Sequence, residues 1–169
     1  MIIGIANDHN GVNLKNEIVT LLTQSGYKVK NYGTDTEESV DYPLYAFKIG
    51  EAINKKEIDL GILICHTGIG MSIAANKVKN IRCAKVENEE EAFLTRSHND
   101  SNILALNDSI SIEEVKNILE NYQKMINEED YDKGLLEELT IYDSVALQPN
   151  RKKCALLPKV TIEKILAKL

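Results

Sequence analysis

The sequence contains no tryptophan and only nine aromatic residues, seven Tyr and two Phe. A core must therefore be built mainly from Ile, Leu, Val and Ala. Cysteine is scarce: Cys65, Cys83 and Cys154 are an odd number with no close pair, which excludes a disulfide framework and a zinc-binding pattern. Free thiols fit a cytoplasmic protein. No apolar run approaches the length that spans a bilayer. The opening Met1-Ile-Ile-Gly-Ile-Ala is interrupted by Asn7-Asp-His-Asn too soon to act as a signal peptide. Positive charge is sparse as well. The net charge is −6, the basic cluster Arg151-Lys-Lys153 reads as a solvated loop, and no basic stripe carries interleaved aromatics. Neither nucleic acid nor a membrane is an expected partner.

What is present is an ordinary globular composition, 43% hydrophobic and 27% charged, in a chain whose length suits one domain. Short apolar runs at Ile2–Ala6, Lys28–Asn31, Leu60–Ile64, Arg82–Lys85 and Ile103–Leu106 read as buried strands. Helical spacing lies between and after them. Leu14, Ile18, Leu21 and Leu22 mark one helix, which ends at Gly26. Tyr45, Ile49, Ala52 and Ile53 mark a second, and Val115, Ile118, Leu119, Tyr122 and Ile126 a third. Ser111 and Glu114 form a capping box before that third helix. Strands alternating with helices predict an α/β fold with a five-stranded parallel sheet covered on both faces. Strand order does not follow from the pattern. The core is expected over about 1–127. After it, 128–169 is expected to form a helical tail of the same single domain (1–169), with segments at Leu135–Leu139 and Val160–Leu169.

In parallel sheets, ligands bind where strands end and loops enter helices. Asn7-Asp8-His9 follows the first strand. Cys65-His-Thr-Gly-Ile-Gly70 follows the third, with a helix expected from Met71-Ser72. Gly68 and Gly70 let the backbone approach a ligand closely, and backbone N–H groups before a helix favour negative charge. The same surroundings favour the thiolate of Cys65. Taken alone, Cys65 reads equally well as a small apolar strand-end residue. Ser97-His-Asn-Asp-Ser101 precedes the fifth strand and belongs at the opposite sheet edge, unless packing or a second subunit brings it round.

The pieces together resemble the type B ribose-5-phosphate isomerase family. They are Asp8-His9, Gly33-Thr34, Asp41-Tyr-Pro43, the block Gly61-Ile-Leu-Ile-Cys-His-Thr-Gly-Ile-Gly-Met-Ser-Ile-Ala-Ala-Asn-Lys77, Ile81-Arg82 and His98-Asn-Asp-Ser-Asn-Ile-Leu-Ala105. The family also includes galactose-6-phosphate isomerase subunits and allose-6-phosphate isomerases. The resemblance implies a Rossmann-like αβα sandwich working as a homodimer or dimer of dimers, without metal or cofactor, with active sites between subunits.

By position, the resemblance makes Cys65 the base that moves a proton between C2 and C1 of an open-chain sugar phosphate. Thr67 assists at the hydroxyl. His98 and Asp8 serve ring opening. His9, His66, Gly68, Ile69, Gly70, Ser72 and Asn99 are implied to contact substrate.

The sequence departs from the family in two ways. A glycine usual after the cysteine is His66. The family's phosphate-binding arginines are missing from Leu106-Asn-Asp-Ser-Ile110 and Tyr131–Leu139, where Lys133 is the expected substitute. Arg151, Lys152 or Lys153 could fold back to add charge. Three readings follow: a self-sufficient isomerase of ribose 5-phosphate or a close relative, the cysteine-bearing subunit of a heteromeric galactose- or allose-6-phosphate isomerase, or a sugar-binding protein without turnover.

Overall fold

The computed structural model describes residues 1–126, with side chains to residue 120. The expected helical segments Leu135–Leu139 and Val160–Leu169, together with Lys133 and Arg151-Lys-Lys153, lie outside them, as does the expected extension of the domain over 128–169. The described residues belong to one compact unit.

Five strands form the sheet: β1 (Ile2–Asn7), β2 (Lys28–Asn31), β3 (Leu60–Cys65), β4 (Cys83–Lys85) and β5 (Ile103–Asn107). The helices are α1 (Val12–Gln24), α2 (Tyr42–Asn54), α3 (Ile69–Ala75), α4 (Glu89–Asn99) and α5 (Ile112–Ile126). Each strand lies within a residue or two of its expected position. All pairings are parallel, and the spatial order is β2-β1-β3-β5-β4. α4 is the element that apolar spacing does not announce. It buries only Ala92 and Thr95.

Side chains alternate cleanly across the sheet, as a period of two residues demands. Ile3, Ile5, Ile62, Ile64, Leu104 and Leu106 face one layer, packed on Leu14, Ile18 and Leu22 of α1, Ala92 of α4, and Val115, Ile118 and Leu119 of α5. Ala6, Leu63, Cys65, Ile103 and Ala105 face the other, against Ala46, Ile49 and Ala52 of α2 and Met71, Ala74 and Ala75 of α3. The strand order explains this division. Crossovers between parallel strands are right-handed, so each reversal of direction across the sheet sends the next helix to the opposite face. The chain reverses after β2 and again after β4. As a result α1 and α4 lie on one face and α2 and α3 on the other, while α5, after the last described strand, packs on the face of α1 and α4. The end of β3 is thus flanked by a crevice on each side, the arrangement in which α/β sheets bind ligands.

Local chemistry sets the helix ends. Gly26 takes φ +85° after α1, where a β-carbon would be strained. The capping box at α5 is complete: Glu114 N–H donates to Ser111 Oγ (3.2 Å), while the Glu114 carboxylate accepts from Ser111 N–H (3.1 Å) and from its hydroxyl (2.7 Å). Those bonds hold the Glu114 carboxyl below its ordinary value. α4 starts on Asn88, whose side chain accepts from Glu91 N–H, and carries Glu89, Glu90 and Glu91 in its first turn, where the helix dipole favours acids.

Candidate active site

Register places the first two polar clusters side by side. Asn7 pairs with Ile64 across β1 and β3, and Asp8 N–H donates to Ile64 O at 3.1 Å. Asp8 therefore stands beside Cys65 at the sheet's C-terminal edge. Its side chain is 5% exposed, and its Oδ1 accepts from Asn10 N–H at 2.9 Å, capping a short 3-10 turn at His9–Gly11. Asp8 is both a turn cap and a buried acid at the C-terminal end of its strand.

Cys65 is the last residue of β3, buried among Ala6, Met71 and Ala105 in the α2/α3 layer. The turn after it reverses through Gly68, at φ +73°. A β-carbon there would be strained and would also sit 3.1 Å from the Leu106 carbonyl of β5. Glycine is thus required twice, by conformation and by the close approach of two strand ends. Thr67 Oγ1 accepts from Ile69 N–H at 3.2 Å, so the Thr67 hydroxyl already braces the first amide of α3. α3 begins at Ile69, two residues earlier than expected.

His66 follows the alternation away from Cys65. Its ring is 77% exposed, and Nδ1 lies 3.2 Å from Asp108 Oδ2 just beyond β5. The His66 side chain thus bridges the ends of β3 and β5.

The loop 33–41 closes over the other side. Asn7 Nδ2 donates to Asp8 O (2.8 Å) and Thr34 O (3.1 Å). Gly33 lies so close to Asn7 that an added β-carbon would be 2.0 Å from Asn7 Oδ1. Lys15, 1% exposed, donates to Thr34 O at 2.9 Å and pairs with Asp35. That lysine holds the Asp35 carboxyl below its ordinary value, with Asn31 assisting by a hydrogen bond. The loop reaches His9 through Val40 N–H, 3.4 Å from Nδ1. Asn7 belongs to the polar cluster that the sequence marks after β1, but Lys15 is not prominent in it. A lysine at a core-facing helical position, next to Leu14 and three residues before Ile18, was the available signal.

His98 and Asn99 are elsewhere. They end α4, both exposed, at the N-terminal edge of the sheet. Cys65 pairs with Asn107 at the far end of β5, and four residue steps of strand separate that point from Ile103, roughly 13 Å. One chain brings together Asp8, His9 and the Cys65–Gly70 turn with Ser72 behind it; it does not bring His98 or Asn99 to them.

Ser72 hydrogen-bonds the second described thiol. Cys83 is buried, and burial pushes its thiol up to about 12; a hydrogen bond from Ser72 works against this and the charge of Cys65 adds to it. Such a thiol is inert at neutral pH. The arginines among the described residues, Arg82 and Arg96, both bind Asp100, at the His98 edge. Among the described residues no group of three or more His, Cys, Asp or Glu side chains could hold a metal ion, and no helix is long and apolar enough to cross a membrane.

Known proteins share this fold. Residues 3–138 match the family model described as Ribose/Galactose Isomerase. Ribose-5-phosphate isomerase B of Escherichia coli (strain K12) is 48% identical over 98 residues, 58% of this chain and 66% of that protein. The solved structure of ribose-5-phosphate isomerase B from Clostridium thermocellum superposes with a TM-score of 0.71 at 47% identity, covering 73% of this chain and 84% of that one. That of the Thermotoga maritima ribose 5-phosphate isomerase gives 0.70 at 44% identity, over 72% and 85%. The family model covers most of the chain and the solved structures share its fold: the chain belongs to the ribose/galactose isomerase family.

Proposed function

We propose that this protein is a cytoplasmic aldose–ketose isomerase converting ribose 5-phosphate to ribulose 5-phosphate, without metal or cofactor. The observation that carries the reading is the placement of Asp8 and the Cys65 turn at adjoining strand ends, beside the two crevices flanking β3. The Cys65 thiolate takes the proton from C2 of the open-chain sugar and returns it at C1. The intervening enediolate carries its charge on oxygen. Backbone N–H groups of the His66–Gly70 turn stabilise it, each such donor being worth about 3 kcal/mol. Thr67 passes the hydroxyl proton, Asp8 and His98 open the ring, and His9, Ser72 and Asn99 hold the substrate.

His98 and Asn99 reach this site only from a second copy of the chain. The exposed apolar side chains support that assembly, because Tyr42, Leu44 and Phe47 of α2 and Ile69 and Ile73 of α3 all lie in the layer beside the Cys65 turn. Exposed apolar surface of this kind marks an interface. A homodimer or a dimer of dimers satisfies the requirement.

The deciding experiment is isomerisation by the purified chain on ribose 5-phosphate, allose 6-phosphate and galactose 6-phosphate. Turnover of the pentose phosphate is expected, and silence on all three would sink the self-sufficient enzyme. One observation favours a second reading, a heteromeric hexose-phosphate isomerase subunit. Leu106–Ile110 holds no arginine, and both described arginines are committed to Asp100. Lys133 would then have to share the phosphate with a partner chain. Activity that appears only on adding a second family chain would establish that alternative.

A further inference from the structure

The geometry points to Asp100, gripped by Arg82 and Arg96, as the positioning residue that sets the angle at which His98 and Asn99 are offered to the isomerase site. The inference rests on the proposed role of His98.

Asp100 directly follows Asn99 and takes φ +48°, ψ 47° at the end of α4. A helix ending in the left-handed region normally uses glycine, since any β-carbon is disfavoured there. Here an aspartate is held in that conformation from several directions. Arg82 reaches Oδ2 with Nη2 at 2.5 Å and the Asp100 carbonyl with Nε at 2.8 Å. Arg96, one turn earlier in α4, bonds Oδ1 and extends the same Nη1 to Ser101 O at 3.1 Å. Asp100 N–H returns to Arg96 O at 3.0 Å.

Arg82 is itself fixed. Its N–H donates to Asn102 Oδ1 at 2.9 Å, and its carbonyl accepts from Asn102 N–H at 3.0 Å. Asn102 Nδ2 also donates to Asn80 O at 2.9 Å. The entry to β4 and the entry to β5 are thereby laced together around the two residues that end α4.

Stability does not account for this lacing. The Arg82 and Asp100 side chains are 49% and 66% exposed, and ion pairs so exposed contribute little. Glycine would remove the backbone strain without any of the partners. What the aspartate adds is direction: Arg82 takes one carboxylate oxygen and Arg96 the other, so the last turn of α4, which carries Arg96, His98 and Asn99, is tied to the entry of β4. Misplacing a catalytic group by about 1 Å can lower a rate about 100-fold, and a group delivered to another subunit has no contacts of its own chain's site to correct it.

The test compares Asp100→Gly, Asp100→Asn, His98→Ala and the double variant Asp100→Gly/His98→Ala in the full chain, with the second family chain added if the chain alone is silent. Melting temperature and oligomeric state are measured beside kcat and KM. Asp100→Gly is expected to keep its melting temperature and assembly and to lose kcat by about tenfold to 100-fold. Asn accepts the left-handed conformation but not the charge, so Asp100→Asn should fall between. On the His98→Ala background, Asp100→Gly should remove less than about twofold more, because coupled residues are not additive.

Wild-type kcat in a folded Asp100→Gly, or a loss that multiplies in full onto His98→Ala, overturns the positioning role while leaving the site intact. A rise confined to KM assigns the arginines to substrate phosphate and overturns it too. Full turnover by His98→Ala removes the site reading itself, and the role with it. If Asp100→Gly melts early, Asp100→Asn is judged by the same criteria.

Discussion

At the C-terminal edge of the sheet, Asp8 and the Cys65 turn are held by the main chain. Asp8 extends the β1–β3 ladder, Gly68 lies on the Leu106 carbonyl, and the thiol is packed among small apolar side chains. At the N-terminal edge, His98 and Asn99 sit on exposed charge, with Asp100 between two arginines and asparagines stitching the strand entries. The first edge is fixed by close packing and tolerates almost no added atom. The second is fixed by directional bonds that water and salt can contest. In the proposed assembly, a site built from both would join a rigid floor from one copy to a tunable arm from the other.

The harshest way to break this pairing is on the floor. Cys65→Ala is expected to lower kcat at least ~1,000-fold, within the range of general-base catalysis, with sugar-phosphate affinity kept in a direct binding measurement; retained turnover would remove Cys65 as the base. The arm should cost less: His98→Ala is expected to lose about 100-fold. Mixing the two inactive variants sharpens the point. In a randomly reassembled dimer with shared sites, one intact site forms in each mixed pair, so about a quarter of wild-type activity should return. No recovery after verified subunit exchange would place both residues in the same chain's site, against the arrangement proposed.

Smaller effects separate the two kinds of construction. Gly68→Ala adds a β-carbon in the left-handed region, which costs about 1–2 kcal/mol and should lower the melting temperature by several degrees; an unchanged melting curve would show that the turn can relax away from β5. The smallest effect is in alkaline stability. Each edge carries one buried thiol of the α2/α3 layer, Cys65 at the floor and Cys83 level with Ile103. The Cys83 thiol is raised from 9.0 to about 12 in the fold. Its stabilising contribution is complete below about pH 9 and is lost as the pH rises toward 12, because the unfolded chain releases the proton first. Cys83→Ala should therefore lose less stability than the wild type between those values in denaturant titrations, and equal losses would show that another group dominates.

Much of the rigid floor was legible in the sequence. Uninterrupted apolar runs such as Leu60–Ile64 name buried strands, and the rule that loops after parallel strands carry ligands selects Asp8 and Cys65 before any coordinates. The same rule places His98 on the wrong edge for one chain, which is where the structure has it. Three things were not legible. Strand order depends on which edge each crossover reaches, a choice made by packing rather than by local pattern. α4 hides because it buries only two residues, although Asn88 followed by three glutamates is a cap-and-dipole signature. The bonds around Asp100 and the His66–Asp108 contact join residues 18 and 42 positions apart, and no local spacing encodes them.

The order β2-β1-β3-β5-β4 has a consequence for the chain during its synthesis. β4 pairs with β5 alone, and β3 has β1 on one side and β5 on the other. Until Ile103–Asn107 leaves the ribosome, β4 has no neighbour and the edge of β3 is an open template for strands of other molecules. Synthesis halted before that point would leave a sticky half-sheet. The last of the five strands to appear is the one that closes the middle.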